Sequence, residues 1–162
     1  MEQVTYKIIR LPAFRAAGLK WEGSFTEVSN LKDVIHSMSE RVTELDHAVD
    51  PNMQLGLSYH LRPDGFMHYS VYEVSQDQQL PEGMVELQVP EMTYLWTHHN
   101  KGEDIGQTYF KISNWLEESE YEPFKESDQI YYDSLPLKFE KYPRDRDLQD
   151  PHFEILIPII KK

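Results

Sequence analysis

Two acidic side chains stand among aromatic and aliphatic ones near the end of the chain: Glu140 in Leu137-Lys138-Phe139-Glu140-Lys141-Tyr142, and Glu154 in Phe153-Glu154-Ile155-Leu156-Ile157. Both runs read as strands, in which successive side chains point to opposite faces. In the first, Leu137 and Phe139 share one face, and Lys138, Glu140 and Tyr142 the other. In the second, Phe153, Ile155 and Ile157 oppose Glu154 and Leu156. If the Phe and Ile faces lie beneath helices, Glu140, Tyr142, Glu154 and Leu156 gather on the far side of the sheet. Carboxylates beside rings suit a cationic or amphipathic guest, because each ring attracts a cation by about 0.5–2 kcal/mol and a carboxylate neutralises its charge. A solvated sheet face would use the same residues. Trp21, Tyr59, Tyr94 and Trp96 are the further aromatic candidates, as cleft walls or as core filler, and parity within a short strand does not choose between them.

Other chemistries have little foothold. His98-His99 is the one adjacent pair among seven histidines, but neighbouring strand residues face opposite ways and do not readily share an ion. No metal site and no cofactor is expected. A Gly-x-Ser-x-Gly elbow, a Gly-x-x-x-x-Gly-Lys phosphate loop and a Gly-x-Gly-x-x-Gly fingerprint are all missing. Cysteine is absent, which removes thiol nucleophiles, thiolate metal ligands and disulfides and fits a reducing compartment.

The elements that must position these residues come in two copies. Tyr6 to Gly18 is an apolar run, a turn at Pro12 and a second apolar run, and Met84 to Trp96 repeats that order around Pro90. Residues 4–11 and Phe14 to Leu19 read as two neighbouring antiparallel strands. A helix follows with Asn30 as its cap and Asp33 three residues on, its apolar stripe formed by Leu31, Val34, Ile35, Met38, Val42 and Leu45. Met53 to His60 and Met67 to Val74 form a hairpin around Arg62-Pro63-Asp64-Gly65. The polar stretch Ser75 to Gly83 joins the copies. In the second copy Ile105, Tyr109, Ile112 and Leu116, with Trp115 beside them, repeat the helical stripe. Ser127 to Asp133 has no clear pattern, Leu137 to Tyr142 is a strand, Pro143 to Pro151 a charged loop, and Phe153 to Ile160 the last strand. One α+β domain over residues 1–162 is expected, with repeat one at about 3–75 and repeat two at about 84–160, each a β-α-β-β unit. Clefts between such repeats are favoured ligand sites.

The formal net charge is −12, from 16 basic and 28 acidic residues. It repels phosphate backbones and argues against direct binding to DNA or RNA, while solubility alone accounts for the acidity. The N-terminus lacks the basic start and apolar stretch of a signal peptide, and no run reaches the ~18 apolar residues of a membrane span. A cytoplasmic chain with no membrane partner is expected.

The order of Tyr94-Leu95-Trp96-Thr97-His98-His99, Thr108-Tyr109-Phe110-Lys111-Ile112-Ser113-Asn114-Trp115-Leu116, Phe139-Glu140-Lys141-Tyr142 and Phe153-Glu154-Ile155-Leu156-Ile157-Pro158-Ile159 resembles the gyrase-inhibitor-like small-molecule-binding family. That family includes the effector-binding domains of many AraC-type and MerR-type bacterial transcription regulators. The resemblance spans nearly the whole chain and is more specific in its second half. It implies a pseudo-two-fold pair of β-α-β-β units, with antiparallel sheets around a concave ligand cleft and helices on the outer face. It also implies an acidic residue at the cleft floor, a place that Glu140 occupies, with Glu154 as a second acidic wall. Lys138 and Lys141 flank that acid as potential partners. No helix-turn-helix segment is read in the sequence, so a regulator would act only through a partner or not at all.

Three functions follow. The first is a stand-alone binding module that senses or sequesters a small hydrophobic or cationic compound, with Glu140, Tyr142, Glu154, Trp96, Tyr94, Tyr59 and Trp21 as its ligand residues. The second is a hydrolase of small electrophiles, with Glu140 activating water and Tyr142 or a Trp orienting the substrate. The third is a protein inhibitor whose acidity imitates DNA toward a partner such as gyrase.

Overall fold

The computed structural model describes residues 5–147 and 149–162. Val4, the expected start of the first strand, and Leu148 in the charged loop lie outside them. Nine strands and two helices follow in the order β1 (Lys7–Leu11), β2 (Phe14–Ser24), α1 (Ser29–Arg41), β3 (Met53–Arg62), β4 (Gly65–Val74), β5 (Val85–Val89), β6 (Met92–His99), α2 (Ile105–Glu118), β7 (Tyr121–Pro123), β8 (Leu137–Pro143) and β9 (Phe153–Lys161). The class is the expected α+β with repeated β-α-β-β units. The strands form one continuous sheet in the order β1-β6-β9-β8-β3-β4-β2-β5, with β7 added beside β9. Read from its middle, that order is the same in both directions: β8 corresponds to β3, β9 to β4, β6 to β2 and β1 to β5.

One expectation fails here. β1 and β2 do not pair with each other: β1 pairs with β6, through Ile8 opposite Leu95, and β2 pairs with β4 and β5. The reason lies in Pro12-Ala13. A two-residue hairpin needs positive φ in its loop, whereas proline fixes φ near −65°, and no residue other than glycine has positive φ among those described. The chain therefore crosses from one half of the sheet to the other, and Pro90-Glu91 carries it back. A link from Leu11 to Phe14 spans about 10 Å at most, although its strands stand at opposite ends of the strand order. The sheet must curl until its two edges approach.

That curl gives the sheet an inner and an outer face. Ala16, Leu55, Leu57, Val71, Val89, Tyr94, Leu137, Phe139 and Leu156 make the inner core, drawn from both halves. On the outer face, Met38 and Val42 of α1 and the turn after it pack against Ala17, Tyr72 and Val74 of β2 and β4. Ile112 and Leu116 of α2 pack against Leu95, Phe153, Ile155, Ile157 and Ile159 of β6 and β9. Each helix covers its own half, so β3 and β8 occupy the strip between them. Asn30 is not the cap of α1 but lies inside it. The polar start is one turn earlier, where Ser24 donates its N–H and its hydroxyl to Glu27 at 3.2 and 2.9 Å before a 3-10 turn over Phe25–Glu27. Asp104 caps α2, accepting from the Gln107 N–H at 3.0 Å. The patternless stretch Ser127 to Asp133 forms no strand or helix. The Tyr132 N–H ties it to the His60 carbonyl of β3, bonds from Phe124 to Pro158 and from His60 to Pro136 fix its two flanks, and it brings Tyr131 onto the inner core.

Ile155 has no exposed surface beneath α2, and Ile155→Ala is expected to lower stability by about 2–5 kcal/mol in urea unfolding. Gly18→Ala, which adds apolar surface, is also expected to destabilise, because its methyl would stand 2.2 Å from the Ser70 carbonyl oxygen of β4. A rise in its urea midpoint would contradict the tight pairing of β2 with β4.

Candidate functional site

The pairing of β8 with its neighbours assigns every face. Phe139 lies opposite Leu57 and Leu156, Glu140 opposite Gly56 and Ile155, and Lys141 opposite Leu55 and Glu154. Directly paired residues point the same way, so Phe139, Lys141, Glu154 and Leu156 share the inner face, while Glu140, Tyr142, Phe153 and Ile155 share the outer one. The expected gathering of Glu140 and Tyr142 with Glu154 and Leu156 does not occur. Alternation within each strand holds, but the register between strands, invisible in either run alone, sets Phe139 beside Leu156 and not beside Ile155.

On the outer face Glu140 occupies the strip between the helices. Tyr109 of α2 donates its hydroxyl to one carboxylate oxygen and Tyr142 donates to the other. Gly56 stands directly opposite on β3, and its missing side chain makes the room: a Cβ there would meet the His68 Cε1 and the Tyr142 Cε2 at 2.9 Å each. His68 is buried, bonded through Nδ1 to the Ser58 hydroxyl at 2.8 Å. Burial pushes its imidazole down to about 4, so it is neutral near pH 7. Basic side chains cover the outer rings: the Lys138 ammonium lies 5.0 Å from the Tyr109 ring centre and the Arg146 guanidinium 4.6 Å from that of Tyr142. Neither neutralises the acid, since Lys138 pairs with Asp133 at 3.4 Å and Arg146 donates to Gln54 at 3.2 Å. Lys141, the other potential partner, is on the opposite face.

Burial raises the Glu140 carboxyl above the ordinary carboxylate range, partly offset by the two phenol hydrogen bonds and by Lys138. Burial, and then the negative charge of Glu140, push both tyrosines well above the usual phenol value. They remain donors at any physiological pH. The arrangement is a partly buried carboxylate framed by two rings, held by two phenol hydrogen bonds and helped at longer range by the Lys138 charge, with no ion pair of its own among the described residues.

The sequence matches the GyrI-like small molecule binding domain over residues 5–159. The chain belongs to that family. It is 32% identical over 134 residues to the transcriptional regulator BrlR of Pseudomonas aeruginosa, covering 78% of this chain and 47% of BrlR, so it spans about half the length of that relative. The fold is that of the EcmrR C-terminal domain, with a TM-score of 0.68 at 13% identity over 99% of this chain and 100% of the other. It is also that of SAV2435, solved bound to tetraphenylphosphonium, with a TM-score of 0.66 at 12% identity over 96% and 94% of the two chains. The resemblance drawn from the second-half motifs is borne out, and the chain is a small-molecule-binding domain of a family found in transcription regulators.

The other expected ligand residues of this GyrI-like domain are elsewhere. Glu154 accepts from the Trp96 indole at 2.7 Å on the inner face, and the Lys7 ammonium lies 5.1 Å from the Trp96 ring centre. Tyr59 meets Tyr69 edge-on and packs on Phe139 inside the curl. Tyr94, also inside, packs on Phe139 and is 1% exposed. Trp21 is on the outer face of β2, against Phe66, several strands from Glu140. Tyr109, Gly56 and His68 do not stand out in the sequence as residues of a site. Only Tyr109 leaves a signal there, as a phenol on the buried stripe of α2, where an apolar residue would pack equally well. No cluster of three or more histidine, aspartate or glutamate side chains could hold a metal among the described residues, and no helix of the described residues is long and apolar enough to cross a membrane.

The raised Glu140 carboxyl carries a sign for stability. The folded protein keeps this proton at pH values where the unfolded chain has lost it, so its contribution is full below the ordinary carboxylate pKa and is lost as pH rises through the raised value. Glu140→Gln removes that loss. Its thermal midpoint is expected to match wild type at pH 3.5 and to exceed it by a margin that grows until pH passes the raised Glu140 value and is level above it; a constant difference from pH 3.5 to pH 8 would refute the shift.

Proposed function

We propose that this chain captures small amphipathic cations at Glu140, with Tyr109 and Tyr142 as the flanking rings. The observation that carries this reading is a partly buried carboxylate whose charge is met by two phenol hydroxyls and, among the described residues, by no ion-paired base. A cationic guest would bring the missing charge, and the desolvated setting strengthens that attraction. The rings are already suited to such contacts, since Lys138 and Arg146 lie over them. Tetraphenylphosphonium, to which SAV2435 was solved bound, is a lipophilic cation of this class. Glu154, Trp96, Tyr94, Tyr59 and Trp21 support the scaffold in this reading and do not touch the guest at Glu140.

The biological role we infer is ligand sensing in bacterial transcription regulation or drug response, in the cytoplasm, with sequestration of the compound as the same chemistry used differently. A net charge of −12 disfavours DNA contact by this chain itself, so its signal would pass through a DNA-binding segment or partner protein. Binding needs no nucleophile and no cofactor.

Isothermal titration with tetraphenylphosphonium tests the assignment. Glu140→Gln is expected to weaken binding at least tenfold, about 1.4 kcal/mol, and Glu154→Gln to leave it within twofold. Wild-type affinity should rise with pH as Glu140 ionises. Equal binding by wild type and Glu140→Gln would defeat the proposal.

A further inference from the structure

The stretch Ser127 to Asp133, which carries no periodic pattern, ends on a carboxylate that reaches the candidate site. Asp133 Oδ2 lies 3.4 Å from the Lys138 ammonium, and Oδ1 accepts the Leu135 N–H at 2.8 Å. Two backbone bonds fix the chain on either side of it, from Tyr132 to the His60 carbonyl at 2.9 Å and from His60 to the Pro136 carbonyl at 3.0 Å. His60 Nδ1 is 3.9 Å from the same Oδ2, but burial lowers its imidazole to about 4, so it brings no positive charge to Asp133 near pH 7. Asp133 is thus held in place, and Lys138 meets its charge.

Lys138 has a second carboxylate within reach. It stands two residues before Glu140 on β8 and on the same outer face, opposite Ser58 as Glu140 is opposite Gly56, and Cα atoms so spaced are about 7 Å apart. A lysine stem is long and flexible enough to close that gap. The ammonium lies instead 5.0 Å from the Tyr109 ring centre, beside Asp133. Arg146 differs, because neutral acceptors hold it over Tyr142: the Gln54 side chain at 3.2 Å and the Pro143 carbonyl at 3.2 Å. We infer that Asp133 is a positioning residue of the cation site: by holding the Lys138 ammonium over the Tyr109 ring, it keeps that lysine from capping Glu140 and leaves the carboxylate open to a cationic guest. This role rests on the reading of Glu140 as the guest's counter-charge. Without the Asp133 charge, Lys138 is left unpaired beside a desolvated carboxylate, which attracts it strongly, and a guest then has to displace it. The outer row of β8 therefore has an open and a self-capped arrangement, and a residue outside the two rings decides between them.

Isothermal titration with tetraphenylphosphonium at pH 8 tests this role. Asp133→Asn, which keeps an acceptor for the Leu135 N–H and loses only the charge, is expected to weaken binding about tenfold, the worth of one charge-assisted hydrogen bond. Lys138→Met should bind at least as tightly as wild type, and adding Lys138→Met to Asp133→Asn should restore binding to the Lys138→Met level. A merely structural role for Asp133 predicts that the loss persists in the double variant. Undiminished binding by Asp133→Asn, or a loss that the second substitution does not relieve, would overturn the inference. If Asp133→Asn does not fold, Asp133→Ser, whose hydroxyl also accepts from the N–H two residues on, takes its place in the same comparison. Failure of the underlying reading has its own signature: Glu140→Gln then binds as wild type does, whereas a loss in Glu140→Gln without one in Asp133→Asn removes the Asp133 role alone.

Discussion

Two short links, Pro12-Ala13 and Pro90-Glu91, constrain everything else in this molecule. Proline at the first position of each removes the loop geometry that a tight hairpin needs, so the chain cannot turn back beside the strand it has just made. It crosses instead to the other repeat, and each repeat contributes its first strand to the edge of its partner's half. Neither half of the sheet is complete without the other. With so few residues in each link, the edges must stay close, and the sheet curls around a core built equally from both copies.

The curl divides the labour between the faces. Inside, aromatic and aliphatic side chains from both repeats fill a space that no helix reaches. Outside, each helix covers the half to which its own repeat belongs and leaves β3 and β8 as a strip between them. A carboxylate on that strip escapes burial under Leu and Ile, yet it is close enough to α2 for Tyr109 to reach it. The absence of a side chain at Gly56 keeps the neighbouring position open and lets His68 and Tyr142 approach. An acid in this position is desolvated without being crowded out, which is the condition under which a charge can be kept available for a guest.

Charge placement around the strip follows the same logic. Lys138 and Arg146 could each have neutralised Glu140, but each is engaged elsewhere, by Asp133 and by Gln54, and offers its cation only to the outside of a ring. The hydrogen bonds that do reach the carboxylate come from phenols, which carry no charge to give. Electrostatic satisfaction by donors without neutralisation is weaker than an ion pair, and it leaves a site that gains on meeting a cation.

The sequence determined the repeat, the strand and helix pieces, the hairpin at Pro63-Asp64 and the membership of the family, because these rest on short-range periodicity, turn chemistry and the order of local motifs. It also marked Glu140, through the aromatic company it keeps. It did not determine that β1 joins β6, that Phe139 and Leu156 share a face, or that Tyr109 completes the site from the helix that covers the outer face. Those are matters of register and of which helix lies over which strand. A shift of one residue in the pairing of β8 with β9 would have put Glu140 and Glu154 on one side, with every strand's own alternation unchanged. Only packing distinguishes the two registers: in the observed one Ile155 is buried under α2 and Leu156 in the core, so the carboxylate of Glu140 faces the helices.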